Sequence, residues 1–151
     1  MVEKDLDEMA TLLGAPDPVR PAHRPRTRDE ADRWIAWNRR NYAEHGFGLW
    51  VVETHDGAFV GDCGLTMQEV EGEWFVEVGY HVHVALRGRG LGSEAAAAVR
   101  DTARAAGIPH LVAIIRPDNV PSQRLAARIG LVLERRAFKN GGDVLVFGAD
   151  L

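Results

Sequence analysis

Hydrophobic residues recur along the chain with two different periods, and the change of period divides it. Leu6, Met9, Leu12 and Leu13 repeat at helical spacing, and Asp5 with Glu8 has the form of a capping box. Gly14 and Pro16 stop this pattern, so residues 5–13 are predicted as a helix. Residues 15–26, with prolines at 16, 18, 21 and 25, read as a loop. Thr27 and Glu30 form a second capping box, opening a helix through about Glu44 that contains Trp34, Ile35, Trp37 and Tyr42 and ends at Gly46.

Beyond Gly46 the period shortens to two. The run FGLWVVETHDGAFVGDCGLTM reads as two strands joined at Asp56-Gly57, a strong hairpin signal. WFVEVGYHVHVAL is a third, long strand entered through the polar turn Glu69 to Glu73. Alternation along it puts Glu77, His81 and His83 on one face and Val78, Tyr80 and Val82 on the other. A helix over 91–106 follows, broken by Gly107 and Pro109, and HLVAIIR is a further buried strand. Asn119 or Ser122 starts a last helix ending at Gly130. LVLERRAF and VLVFGADL then pair across Asn140-Gly141-Gly142. The order α-α-β-β-β-α-β-α-β-β is α+β in class, a mixed, mostly antiparallel sheet flanked by helices. A doubly wound parallel sheet requires strict alternation, which the first three strands violate.

Composition narrows the function classes. A length of 151 residues predicts one domain spanning 1–151, with no run apolar enough to cross a bilayer. Met1-Val2-Glu3-Lys4-Asp5 lacks a secretory pattern and there is one cysteine, Cys63, so the expected compartment is the cytoplasm. A net charge of −4 and a pI near 5.8 argue against a dedicated nucleic-acid binder. Arg20, Arg24, Arg26 and Arg28 form a basic, proline-spaced segment that reads either as a solvated loop or as an anion contact. Trp34, Trp37 and Trp50 read first as core residues, and Cys63 as an inert core thiol.

The chemistry concentrates where the third strand meets the 91–106 helix, in Arg87-Gly88-Arg89-Gly90-Leu91-Gly92-Ser93. Glycines between a strand and a helix N-terminus expose backbone N–H groups, and the helix dipole adds partial positive charge. Such a loop binds an anion or is simply a tight turn; three glycines flanked by two arginines favour the anion. The P-loop pattern fails for want of a lysine, and Gly-x-Gly-x-Gly is one residue short of the dinucleotide fingerprint. His81 and His83 have chelating spacing on one strand face, but no third ligand stands at a suitable distance, so no metal is expected.

Arg87-x-x-Gly90-x-Gly92 resembles the signature of the GNAT acetyltransferase superfamily, and RPDNVPSQRLAARIGL is similar to that family's following segment. EVGYHVHVALRGRGLGSEA is most similar to the branch of ribosomal-protein N-terminal acetyltransferases and related small-molecule N-acetyltransferases. Members usually begin with a strand before the first helix; here the chain begins almost at the helix, so that edge strand is either missing or upstream of Met1.

The resemblance implies acetyl transfer from acetyl-CoA to a primary amine, on a small molecule or a protein N-terminus. It implies that the backbone of Val82 and Val84 bonds the pantetheine, that residues Arg87, Gly88, Arg89, Gly90, Leu91, Gly92 and Ser93 take the pyrophosphate, and that Asn119 and Ser122 lie beside the thiol end. Glu77 stands where relatives carry a carboxylate that removes the amine proton; read from its residue alone, it is equally a solvent-facing or salt-bridged glutamate. The tyrosine that often protonates the leaving thiolate is absent beyond Tyr80, Phe138 standing in that region, and Ser122 is the substitute. Trp34 and Trp37 would border the acceptor pocket, and Glu69, Glu71 and Glu73 would attract a cationic acceptor. The last strands are the surface for a homodimer. The alternative is a non-catalytic acyl-CoA-binding or sensing domain on the same fold.

Overall fold

The computed structural model describes residues 1–19 and 24–151. Arg20 and Pro21 of the basic, proline-spaced segment lie outside the described residues. A 3-10 turn over Glu3–Asp5 leads into α1 (Leu6–Gly14), which buries Met9, Leu12 and Leu13. The capping box expected of Asp5 and Glu8 does not form. The Asp5 carboxylate accepts instead from the Val2 N–H at 2.7 Å, one turn earlier, and caps nothing in α1. The second box does form: in α2 (Arg28–His45) Thr27 Oγ1 accepts from Glu30 N–H, and the Glu30 carboxylate accepts from Thr27 N–H. Gly46, at φ 78°, stops α2 in the left-handed conformation.

Six strands form one sheet: β1 (Leu49–Glu53), β2 (Phe59–Val70), β3 (Glu73–Val82), β4 (His110–Ile115), β5 (Val132–Lys139) and β6 (Gly142–Asp150). Their order is β1-β2-β3-β4-β6-β5, and every neighbour pair is antiparallel except β3 and β4. The β2–β3 turn is tighter than the sequence implies. Only Glu71 and Gly72 leave the ladder, both at positive φ, and Glu69 and Glu73 remain in it. Asn140 and Gly141 close β5 on β6 in the same way.

Two helices that follow the third strand, α3 (Leu91–Ala105) and α4 (Val120–Arg128), cover one face of the sheet. Their Ala96, Val99, Ala103 and Ala126 pack with Cys63, Leu65, Val78, Leu111 and Ala113. Burial pushes the Cys63 thiol up to about 12. Met9, Leu12, Leu13, Ala31 and Ile35 form a separate cluster joining α1 to α2. No helix among the described residues is long and apolar enough to cross a membrane.

Two further expectations are corrected. The third strand stops at Val82 rather than running to Leu86. His83 N–H makes the last bond, to Val60 C=O at 2.9 Å, and Val84–Leu86 then coil into a 3-10 turn stitched by Leu86 N–H to His83 C=O. Trp50 is not core: it is 38% exposed, on the edge strand β1.

Asn38 locks α2 onto that edge strand. Fully buried, it donates to Leu49 C=O at 2.8 Å and accepts from Leu49 N–H at 2.6 Å, replacing the neighbour strand β1 lacks there. Asn38→Ala strands two buried backbone groups and should destabilise the protein by about 2–4 kcal/mol. Urea unfolding monitored by circular dichroism measures this; a loss under about 0.5 kcal/mol, the size of an ordinary surface change, rules the clamp out.

Candidate active site

β3 pairs with β2 along ten residues, from Val82↔Gly61 to Glu73↔Val70, but meets β4 in register only at Glu77↔Val112. Past Glu77 the two strands part, and two cavities lie at the opening. One, of about 330 Å³, runs beneath Val82 and the glycine loop to α4. The other, of about 240 Å³, is lined by Trp34 and Trp37 of α2, Thr66 and Gln68 of β2, and Glu77. Tyr80, His81, Asn119 and Ser122 border both. The pair of cavities therefore reaches through the sheet at the parting of β3 from β4.

In the larger cavity the loop has the form expected of an anion cradle. Gly88 and Gly90 take φ of 79° and 85°, which turn the chain into the N-terminus of α3. A Cβ on Gly92 would stand 3.0 Å from Val82 and 3.2 Å from Leu125, so a side chain there would narrow the cleft. Gly88, Gly90, Leu91, Gly92 and Ser93 line the cavity with Val82, Asn119 and Ser122. Asn119 also caps α4, its side chain accepting from Ser122 N–H at 3.3 Å.

Three predicted ligands stand differently. Val84 sits in the 3-10 turn rather than on the strand, because β3 ends before it. Arg89 does not line the cavity. Arg87 borders the cavity but its guanidinium is engaged, donating through Nε to Val82 C=O at 3.1 Å and through Nη1 to Asp17 at 2.9 Å. Asp17 is 8% exposed, and a buried carboxylate draws the nearest cation. Positive charge in the cavity comes also from Arg124 and Arg128 on α4, which sequence reasoning passed over. Their i, i+4 spacing was the available signal.

Glu77 is half-buried, at the wall of the smaller cavity. Its carboxyl accepts from Thr66 Oγ1 at 3.1 Å and from Ile114 N–H at 3.2 Å. Burial raises its pKa to about 7, against the lowering effect of those two bonds. Beside it His81 Nδ1 lies 2.8 Å from Asp62, which is 1% exposed and also accepts from Trp34 Nε1 at 3.2 Å. Asp62 thus fixes both the histidine ring and the tryptophan. His83 does not join His81 on a common face; its ring accepts from Ala85 N–H in the turn. Trp34 and Trp37 pack against each other at a tilt of 36°, with centroids 4.9 Å apart.

Between the cavities, Ser122 Oγ donates to the Tyr80 hydroxyl at 2.9 Å, and Tyr80 donates to Ser122 C=O at 3.1 Å. Burial pushes the phenol up to about 12. Alternation had put Tyr80 among the apolar positions of β3; its partner on α4 is 42 residues away and invisible to local pattern. Phe138 is 57% exposed on β5, and Glu71 and Glu73 pair with Arg135, so none of these three lines either cavity.

Residues 1–132 match the family described as the acetyltransferase (GNAT) domain. The chain is similar to the uncharacterized protein YkkB of Bacillus subtilis (strain 168), with 33% identity over 148 residues, covering 93% of this chain and 85% of the relative. Among solved structures it shares its fold with the acetyltransferase from Agrobacterium tumefaciens str. C58, with TM-score 0.83 and 24% identity over 99% of this chain and 86% of the other. It shares it also with a GNAT superfamily phosphinothricin acetyltransferase from Sinorhizobium meliloti in complex with AcCoA, with TM-score 0.72 and 19% identity over 100% and 85% of the two chains.

The desolvated carboxyl of Glu77 has a signature in stability. An acid at about 7 in the folded chain, against 4.5 ordinarily, holds its proton longer folded than unfolded. Stability therefore falls as pH rises from about 4.5 to 7, by on the order of 3 kcal/mol. Glu77→Gln should remove that slope and gain on the native protein between pH 5 and pH 8. Parallel urea titrations of the two proteins that keep a constant difference across this range would refute the assignment.

Proposed function

The chain belongs to the GNAT acetyltransferase family, and on that premise we propose that it moves the acetyl group of acetyl-CoA to a primary amine, with Glu77 accepting the amine proton. What carries this reading is the position of Glu77: a carboxyl poised near neutrality, in a cavity that shares Tyr80, His81, Asn119 and Ser122 with the glycine-loop cavity.

Members of the family use acetyl-CoA, and the larger cavity fits it. Gly88, Gly90, Gly92 and the first amides of α3 suit a pyrophosphate, and Arg124 and Arg128 supply charge for phosphate groups. Val82 to Tyr80, on the side of β3 that has left β4, offers backbone to an extended pantetheine arm, as a further strand would. Acetyl-CoA, when bound, supplies an acyl group activated on sulfur.

The other roles fall to side chains. An ammonium of pKa about 8–10 must lose a proton before it attacks. Glu77, held by Thr66 and the Ile114 amide, takes that proton directly or through water. His81, oriented by Asp62, borders the same space and connects it to the surface. At the leaving end Ser122 and Tyr80 bond to each other, and turning one hydroxyl out of that pair presents a donor to the thiolate. A phenol near 12 keeps its proton at neutral pH, so the pair stabilises developing negative charge rather than surrendering a proton outright.

Calorimetric titration with acetyl-CoA, coenzyme A and ADP tests the donor half. Acetyl-CoA and coenzyme A should bind more tightly than ADP, and Arg124→Ala with Arg128→Ala should weaken them at least tenfold. Equal binding of ADP would mean that the pantetheine arm is not recognised. For the chemical half, kcat/KM should rise with pH through about 7 as Glu77 loses its proton. Glu77→Gln should lower kcat about 100-fold or more while acetyl-CoA affinity stays within twofold. Coenzyme binding without turnover on any amine would leave the non-catalytic acyl-CoA-binding alternative.

A further inference from the structure

Outside the smaller cavity, Trp34 and Trp37 continue into a shallow surface hollow that they share with Arg26, Glu30 and Arg33. Arg26 lies over this shelf, its guanidinium carbon 4.4 Å from the centre of the Trp34 ring. The main chain holds it there through Arg26 N–H to Leu13 C=O at 2.9 Å, and Trp34 is held from below by Asp62.

Arg26 feels the charges of Glu30 and Asp62, but neither carboxylate is bonded to its guanidinium. Glu30, the carboxylate on the same shelf, is committed twice over, to a two-pronged bond from Arg24 and to the Thr27 amide. Asp62 is committed to His81 and Trp34. Among the described residues no carboxylate lies within ion-pair distance of the Arg26 guanidinium, although burial disfavours its charged form. Stacking satisfies one face of the guanidinium; its in-plane N–H donors remain to be used. Arg33 adds a second cation to the same hollow. The acids expected to draw a cationic acceptor are elsewhere, Glu71 and Glu73 being paired with Arg135. Acid deep in the cavity and cation at its mouth is the charge pattern of a site for an amine that carries an oxyanion.

Building on the acetyl-transfer reading, we propose that the acceptor is a small amino acid-like zwitterion, its ammonium directed toward Glu77 and its carboxylate held by Arg26 on the Trp34 shelf. A cavity of about 240 Å³ suits a small molecule. A polyamine would meet Arg26 and Arg33 with like charge, and a protein N-terminus brings no carboxylate of its own beside its amine.

The test uses matched pairs: amino acids and the same amino acids as carboxamides, with acetyl-CoA and product quantified by mass spectrometry, rates corrected for amine ionisation. In the native protein kcat/KM should favour the acids at least tenfold, chiefly through KM. Arg26→Met, which keeps an apolar cover on Trp34, should erase the preference by raising KM for the acids alone, and Arg26→Lys should restore part of it. Acids and carboxamides used equally by the native protein, or an Arg26→Met variant that slows both alike, would overturn the proposal. If no pair is acetylated, the same pairs are titrated against tryptophan fluorescence, with Trp34→Phe as the control. Tighter binding of acids, lost in Arg26→Met, then sustains the carboxylate site while the transfer reading falls by itself. Binding without preference, or none, sinks the carboxylate site.

Discussion

Parallel pairing between β3 and β4 lasts for one point of register, and the site exists because it then stops. A central strand normally spends its backbone groups on both neighbours, and a buried N–H left without a partner costs on the order of 1–3 kcal/mol. Here the Ile114 amide is met by the Glu77 side chain instead of by β3. One carboxyl therefore does two jobs: it closes the ladder at the last place where the strands touch, and it stands at the head of the space beyond. The Thr66 hydroxyl and the Asp62–His81–Trp34 chain complete the polar lining, and no buried side-chain polar atom among the described residues lacks a partner.

Helices on opposite faces divide the labour around that parting. α3 and α4 bring glycine amides, Ser122 and two arginines to one side. α2 brings the tryptophan pair to the other. Each is anchored by something remote from the chemistry: α2 by the Asn38 clamp on Leu49, α4 by its Asn119 cap, and the loop before α3 by Arg87 on Asp17.

Much of this was legible from residue patterns. Periodicity located the helices and strands of the described residues in order, and the glycine loop falls where expected, between β3 and α3; alternation grouped Glu77 and His81 correctly but also His83, which the turn takes away. The failures share a cause: each depended on a partner distant in sequence. Arg87 reads as an unengaged cation, whereas Asp17, seventy residues earlier, holds its guanidinium at the cavity's edge. Tyr80 is placed by alternation only on the face of Val78 and Val82, and its hydroxyl's partner, Ser122, is out of reach of local pattern. Strand β3 reads through to Leu86 because His83 and Val84 continue the alternation, whereas the chain coils into a 3-10 turn at Val84 although β2 still runs on to Phe59. Trp50 reads as core because aromatic residues usually are, and the edge position of β1 is a matter of topology.

Cys63 has a practical bearing on any study of acyl transfer by this protein. It is the single sulfhydryl in the chain, packed in the core against the α3 face, and burial holds it near 12, so almost none of it is ionised at neutral pH. Only the ionised form attacks thioesters or disulfide dyes. The folded protein is thus inert to self-acylation at this residue, and a colorimetric disulfide reagent added to a reaction will register the liberated coenzyme with no background from the catalyst.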